Sequence, residues 1–107
     1  MIELHMIQGR ISPILCCDIC KERIENAKLG AIVFPNFQKE GTRFNPIYVH
    51  KSVEGRKCHA IAEAQLKKEH EMVGWLELRG FFANTLHNAG YTSEDIADEM
   101  DNPVSFF

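Results

Sequence analysis

The stretch Cys16-Cys17-Asp18-Ile19-Cys20 places three of the chain's four cysteines within five positions. The fourth, Cys58, lies far downstream, with His50 before it and His59 directly after it. Thiolate sulfur and imidazole nitrogen are the donors zinc prefers, four at a time and tetrahedrally arranged. A Cys-x-x-Cys segment can fold as a tight knuckle that aims two sulfurs at one ion about 2.3 Å away. Cys17 and Cys20 have that spacing. The second pair must come from elsewhere in the fold. Cys58, at the start of a predicted helix, supplies one donor where the positive end of the helix dipole stabilises a thiolate. Positions 61 and 62 hold no Cys or His, so that helix offers no second donor a turn later. His50, at the end of the preceding predicted strand, is the natural fourth. The expectation is one Zn2+ ion held by Cys17, Cys20, His50 and Cys58.

Other readings explain fewer of these residues. Free cysteines often serve as small buried hydrophobes, but that leaves the His50–Cys58 pairing without a role. A redox pair would open a helix after a buried strand; "CDICKERI" can start one, again with His50 and Cys58 unexplained. Strand alternation points Cys16 away from Cys17, so Cys16 belongs to the core. His59 follows a ligand directly and faces another way, as an exposed residue or one that supports the ligands from behind. His5 is a substitute donor at most, and His70 and His87 belong on helix surfaces.

The elements that must position these donors follow from periodicity. "MIELHMI" alternates with Ile2, Leu4 and Met6 on one side and reads as a strand. "QGR" is a turn, and "ISPILCC" a second extended piece in which Pro13 suits an edge. "AIVFPNF" and "FNPIYVH" flank "QKEGTR" as a β-hairpin. From about residue 57 the period changes. Cys58, Ile61, Ala62, Leu66 and Val73 predict a helix over 57–72, broken by Gly74. Trp75, Leu78, Phe82, Leu86 and Ala89, with Phe81 beside that stripe, predict a second helix capped by Gly90. "TSEDIADEM" predicts a third, with Thr92 or Ser93 as N-cap, Ile96 and Met100 on one face, and Asn102–Pro103 as its stop.

A knuckle, a β-hairpin and a helix whose start supplies a ligand resemble a treble-clef zinc finger, the class that includes LIM modules. The matching residues are Cys17, Cys20, His50 and Cys58, over roughly residues 15–72. The seven residues between His50 and Cys58 loop out, with Gly55 as the pivot. The fold expected is α+β: a small treble-clef-like zinc-binding hairpin and helix unit with two further C-terminal helices. It forms a single domain over 1–107, a β-rich front over 1–73 and a helical extension over 74–107. Trp75, Leu78, Phe82 and Leu86 let the helical part, 57–101, pack on itself.

At 107 residues, 45% hydrophobic and 25% charged, the composition is that of one globular domain. The longest run of aliphatic and aromatic residues, 31–34, is far short of a membrane span or a signal-peptide core, which predicts a cytoplasmic protein that contacts no membrane. Reduced thiols in that compartment favour metal ligation over disulfides. Residues 1–70 carry 11 Lys or Arg against 8 acids, whereas 71–107 carry only Arg79 against 7.

Four protein donors leave no open position, which makes the zinc structural and the protein non-enzymatic. Asp18, Glu54 and His59 lie near enough to serve a zinc-dependent hydrolase but form no recognisable catalytic pattern. The leading expectation is a protein-interaction or regulatory module, with another protein or a second copy of the chain as partner. Its leads are the acidic C-terminal helix and the apolar end with Phe106 and Phe107. The alternative is a nucleic-acid-binding, transcription-regulatory module. It would use Lys39, Arg43, Lys51, Arg56 and Lys57 on phosphate and the interleaved Phe37, Phe44 and Tyr48 on bases. The acidic C-terminal segment would repel phosphate and is excluded as a DNA reader.

Overall fold

The computed structural model describes residues 1–53 and 55–101. Glu54, the Asn102–Pro103 stop and the Phe106–Phe107 pair lie outside the described residues, as do the side chains of Ile96 and Met100. The fold is α+β, and the described residues form a two-stranded sheet, a three-stranded sheet and three α-helices.

Strands β1 (Ile2–Ile7) and β2 (Arg10–Leu15) form an antiparallel hairpin in which Ile7 pairs with Arg10. Gln8 (φ 50°) and Gly9 (φ 78°) both adopt left-handed conformations at the turn. Two consecutive positive φ values match the strands' right-handed twist, which is why a Gly sits here. Pro13 pairs only with Leu4, on a strand that has no second neighbour.

After a 3-10 turn at Ala27–Leu29, β3 (Gly30–Pro35) forms the centre of the larger sheet. On one side it pairs with β4 (Ile47–His50), the predicted hairpin partner, across the loop 36–46. On the other it pairs antiparallel with β5 (Val73–Glu77), which no periodicity predicted. Helix α1 spans Cys58–Lys67, α2 spans Leu78–Asn88 and α3 spans Ser93–Asp101.

The expected helix over 57–72 therefore ends early, and the expected start of the second helix at Trp75 is a strand. Residues 68–72 turn the chain back so that β5 can satisfy the free edge of β3. Gly74 is not a helix breaker. A Cβ there would stand 2.8 Å from the Phe34 ring, so glycine permits close contact between strand and ring. Gly90 does cap α2. Its N–H bonds to the His87 carbonyl at 3.0 Å and Tyr91 N–H to that of Leu86 at 2.8 Å, the Schellman pattern, with Gly90 at φ 86°. Thr92 caps α3, with its Oγ1 accepting from Asp95 N–H at 3.1 Å and Asp95 Oδ2 accepting from Thr92 N–H at 3.0 Å.

The helices cover opposite faces of the sheet. His59 of α1 rests on Trp75, which pairs with Val33, while Phe81 of α2 rests on Tyr48, which pairs with Ile32. Adjacent residues of β3 point to opposite faces. Ala31, Ile32 and Val33 are consequently all fully buried. Cys17, Ile24, Val49, Cys58, Ala62 and Leu78 complete that core. Cys17 and Cys58 are thus core residues and candidate ligands at once. Ile61, counted in the expected apolar stripe, is exposed, and so is Trp75.

A candidate metal centre

The knuckle is held at both ends by backbone bonds. Cys17 N–H donates to the Glu22 carbonyl at 2.9 Å and Lys21 N–H to that of Cys17 at 3.0 Å. Lys21 takes the left-handed conformation (φ 67°) that closes the turn behind Cys20. Asp18 then ties the knuckle to β4. Its N–H donates to the Tyr48 carbonyl at 2.7 Å, and its Oδ2 accepts from Tyr48 N–H at 2.8 Å. Two residues further along β4 comes His50. The same pair of bonds that positions the knuckle therefore sets its distance from the imidazole.

Cys58 is the first residue of α1, and α1 packs on β3 and β4. The donor atoms of Cys17, Cys20, His50 and Cys58 all lie within 4.8 Å of one another. Sulfurs bound tetrahedrally at 2.3 Å stand about 3.8 Å apart, so the cluster has the dimensions of a four-coordinate site. Cys17, His50 and Cys58 are buried and Cys20 is half-buried. The four residues can hold one metal ion.

The imidazole is set up for ligation. His50 Nε2 lies 3.1 Å from the Arg23 carbonyl oxygen, which can only accept, so Nε2 carries the proton. Nδ1 is left with its lone pair, 3.5 Å from Cys20 Sγ. A backbone carbonyl on the far nitrogen is the usual device for fixing the tautomer of a metal-binding histidine. Arg56 brings positive charge to the outer side, with Nη1 3.8 Å from Cys20 Sγ and 3.1 Å from Glu22 Oε2.

Without a cation the thiols compete. Burial raises the Cys17 thiol, but hydrogen bonds from the backbone at Cys20, His50 and Ile19 outweigh it and bring it down to about 6. Burial and the neighbouring Cys17 and Cys20 push the Cys58 thiol up to about 11. One sulfur is prepared as a thiolate while another keeps its proton. A divalent cation relieves that conflict.

The remaining histidines stay out of this cluster. His59 neither faces solvent nor backs a ligand: it stacks edge-on against Trp75 at 5.5 Å, with Nε2 2.7 Å from Glu63 Oε1 but outside hydrogen-bond alignment. His70 sits beyond α1, near Gln38, and His87 is exposed in the last turn of α2. Cys16 is buried in the direction opposite to Cys17, as strand alternation requires, but it is not simply core. Its sulfur gathers with Glu3 and His5 into a second group of donors within 4.8 Å. Sequence reasoning missed this group, although Glu3 and His5 at alternate positions of β1 signalled a shared face.

The predicted basic and aromatic surface divides. Lys51 is committed to Glu77 at 2.5 Å and lies 5.8 Å over the Trp75 ring, and Arg56 is committed to Glu22. Lys39, Arg43 and Lys57 are exposed. Phe37 and Phe44 are exposed, while Tyr48 packs on Phe81. Among the described residues no helix is long and apolar enough to cross a membrane.

No protein-family model, no curated protein and no solved structure matches this chain.

Proposed function

We propose that Cys17, Cys20, His50 and Cys58 hold one structural zinc ion in a treble-clef-like module, and that the module acts by binding rather than by catalysis, in the cytoplasm. Three thiols and an imidazole suit zinc and disfavour the oxygen-seeking cations. Four protein donors fill a tetrahedral ion, leaving no position for substrate or activated water.

The observation that carries the binding role is the outer face of the β1–β2 hairpin. Paired residues of an antiparallel ladder share a face. Ile2 pairs with Leu15, Leu4 with Pro13 and Met6 with Ile11, so all six side chains on that face are apolar. Leu4 is 72% exposed, Met6 68%, Ile2 53% and Ile11 46%. A two-stranded ribbon is marginal by itself in water, and a soluble chain seldom leaves such a face open.

The occupant proposed is a second copy of this chain, packed face to face across a two-fold axis. With Leu15 packed against the core, the other five side chains at about 100 Å² each offer roughly 500 Å² per copy and about 1,000 Å² for the pair, the lower bound for a biological interface. A flat apolar ladder is its own complement under that symmetry. Sedimentation equilibrium of the zinc-loaded chain should show a dimer, and Leu4→Glu should return it to monomer with its metal content unchanged. A wild-type chain that stays monomeric at millimolar concentration would exclude self-association through this face.

One observation favours a second reading, nucleic-acid binding. The loop 36–46 presents exposed Phe37 and Phe44 beside exposed Lys39 and Arg43, the pairing of stacking and phosphate contact that single strands need. Retardation of a single-stranded oligonucleotide that vanishes with rising salt and in Phe37→Ala would support it.

A further inference from the structure

Cys16 is the residue of the cysteine run that the zinc centre leaves unused. Because Cys17 points into the core beside Cys58, its neighbour must point the other way, toward the β1–β2 hairpin. The hairpin's polar face meets it there. Glu3 and His5 stand at alternate positions of β1, on the face opposite to Ile2, Leu4 and Met6. The Cys16 N–H donates to the Met1 carbonyl at 2.8 Å, which fixes it against the start of the same strand.

We propose that Glu3, His5 and Cys16 form a second metal site, taking a divalent transition ion of zinc's class. One carboxylate oxygen, one imidazole nitrogen and one sulfur lie within 4.8 Å of one another. All three are donors zinc accepts, and three protein ligands leave the fourth position to water. Cys16 is 3% exposed, while the side chains of Glu3 and His5 are each 42% exposed. The sulfur therefore forms the floor of the site and the two exposed donors its mouth, open to an ion arriving from solvent. Glu3 Oε1 lies 2.8 Å from His5 Nε2, a contact the ion would take over from the proton between them. On binding, the metal–sulfur bond replaces the Cys16 S–H bond and the thiol proton leaves to water. The imidazole binds as the neutral base and the carboxylate as the anion.

This group has one thiolate and a carboxylate where the first centre has three thiolates, and the expected affinity differs accordingly. A single thiolate and an open position hold zinc more weakly than three thiolates in a closed shell. The second ion should be removed first by a chelator.

The test is stoichiometry on the full chain, by equilibrium dialysis against zinc and by titration with cobalt(II). The expected result is two equivalents, the second lost in His5→Ala and in Cys16→Ala, with the first retained in both. Cobalt at the second site should add a thiolate charge-transfer band of the intensity one sulfur gives, against three at the first. His5 is partly exposed, so His5→Ala keeps the test decisive should Cys16→Ala fail to fold. Saturation at one equivalent in the wild type would overturn the proposal, as would a second equivalent that survives His5→Ala. Loss of the four-donor centre would appear separately, as absence of the three-thiolate spectrum.

Discussion

At the scale of single residues, the centre's chemistry is a matter of where protons reside before metal arrives. Cys17 is brought down to about 6 by hydrogen bonds that overcome burial, whereas burial and neighbouring sulfurs push Cys58 up to about 11. At neutral pH a metal ion bound by these donors would therefore displace the Cys58 proton, whereas the Cys17 proton is largely gone. The sign follows: affinity rises with pH by about tenfold per unit for each displaced proton. The dependence steepens below about pH 6, where the metal-free chain also protonates Cys17. Competition with a chelator whose own proton dependence is known, between about pH 5 and 8, measures this. A flat profile would mean that the thiols are not ligands.

At the scale of elements, Gly30 marks where a strand and a helix close on each other. A Cβ on Gly30 would lie 2.4 Å from Leu78 Cδ1 and 2.9 Å from Ile24 Cγ2. Leu78 is 1% exposed and has nowhere to move. Gly30 is extended, with φ −119°, so the obstacle to a larger residue is steric and not conformational. Gly30→Ala should destabilise the zinc-loaded fold by about 1–3 kcal/mol through overpacking, read from the denaturation midpoint. Gly9→Ala meets no atom within 4 Å, and its positive φ alone should cost about 1 kcal/mol. A larger loss at Gly9 than at Gly30 would contradict the packing described.

The same scale shows what periodicity could and could not deliver. β1, β2, β3 and β4 alternate or run apolar between turn residues, and Gly90 and Thr92 end and begin helices as their side chains dictate. Residues 73–77 are different. Val73 extends the first expected helical stripe and Trp75 with Leu78 opens the second, while Val73, Trp75 and Glu77 equally fit one face of a strand. Only the open edge of β3 decides between them, and β3 lies about forty residues earlier in the chain.

At the scale of the whole molecule, β5 changes what metal removal should do. Sequence alone suggested that residues 57–101 would keep their helices without metal. In the fold, α1 and α2 are separated by a strand of the central sheet, and Leu78 opens α2 from inside the same core as Cys17 and Cys58. A structural zinc contributes on the order of 10 kcal/mol to folding, as much as a small domain holds in reserve. Chelation should therefore abolish the dispersed amide signals of β3, β4 and β5 together with the near-ultraviolet signal of Trp75 and most of the helical signal of α1 and α2, in one transition. Metal-free protein with unchanged sheet signals would end the structural-zinc reading.

The sequence by itself determined the local chemistry of this protein. The Cys17–Cys20 spacing, the donor at the head of α1 and the turn of Cys16 away from Cys17 all follow from neighbours a few residues away, where backbone geometry leaves little choice. It also specified two extended segments joined by a turn at 8–10, but the register came from the fold, which keeps only Gln8 and Gly9 in the turn and pairs Arg10 with Ile7. Tertiary structure alone decided the rest. The Arg23 carbonyl that selects the His50 tautomer, the Asp18–Tyr48 bonds that set the knuckle beside β4, and the meeting of Glu3 and His5 with Cys16 join residues distant in the chain. So does the strand at 73–77. Such contacts are chosen by which edges and buried polar groups remain unsatisfied once the local elements have formed, and no local pattern encodes that.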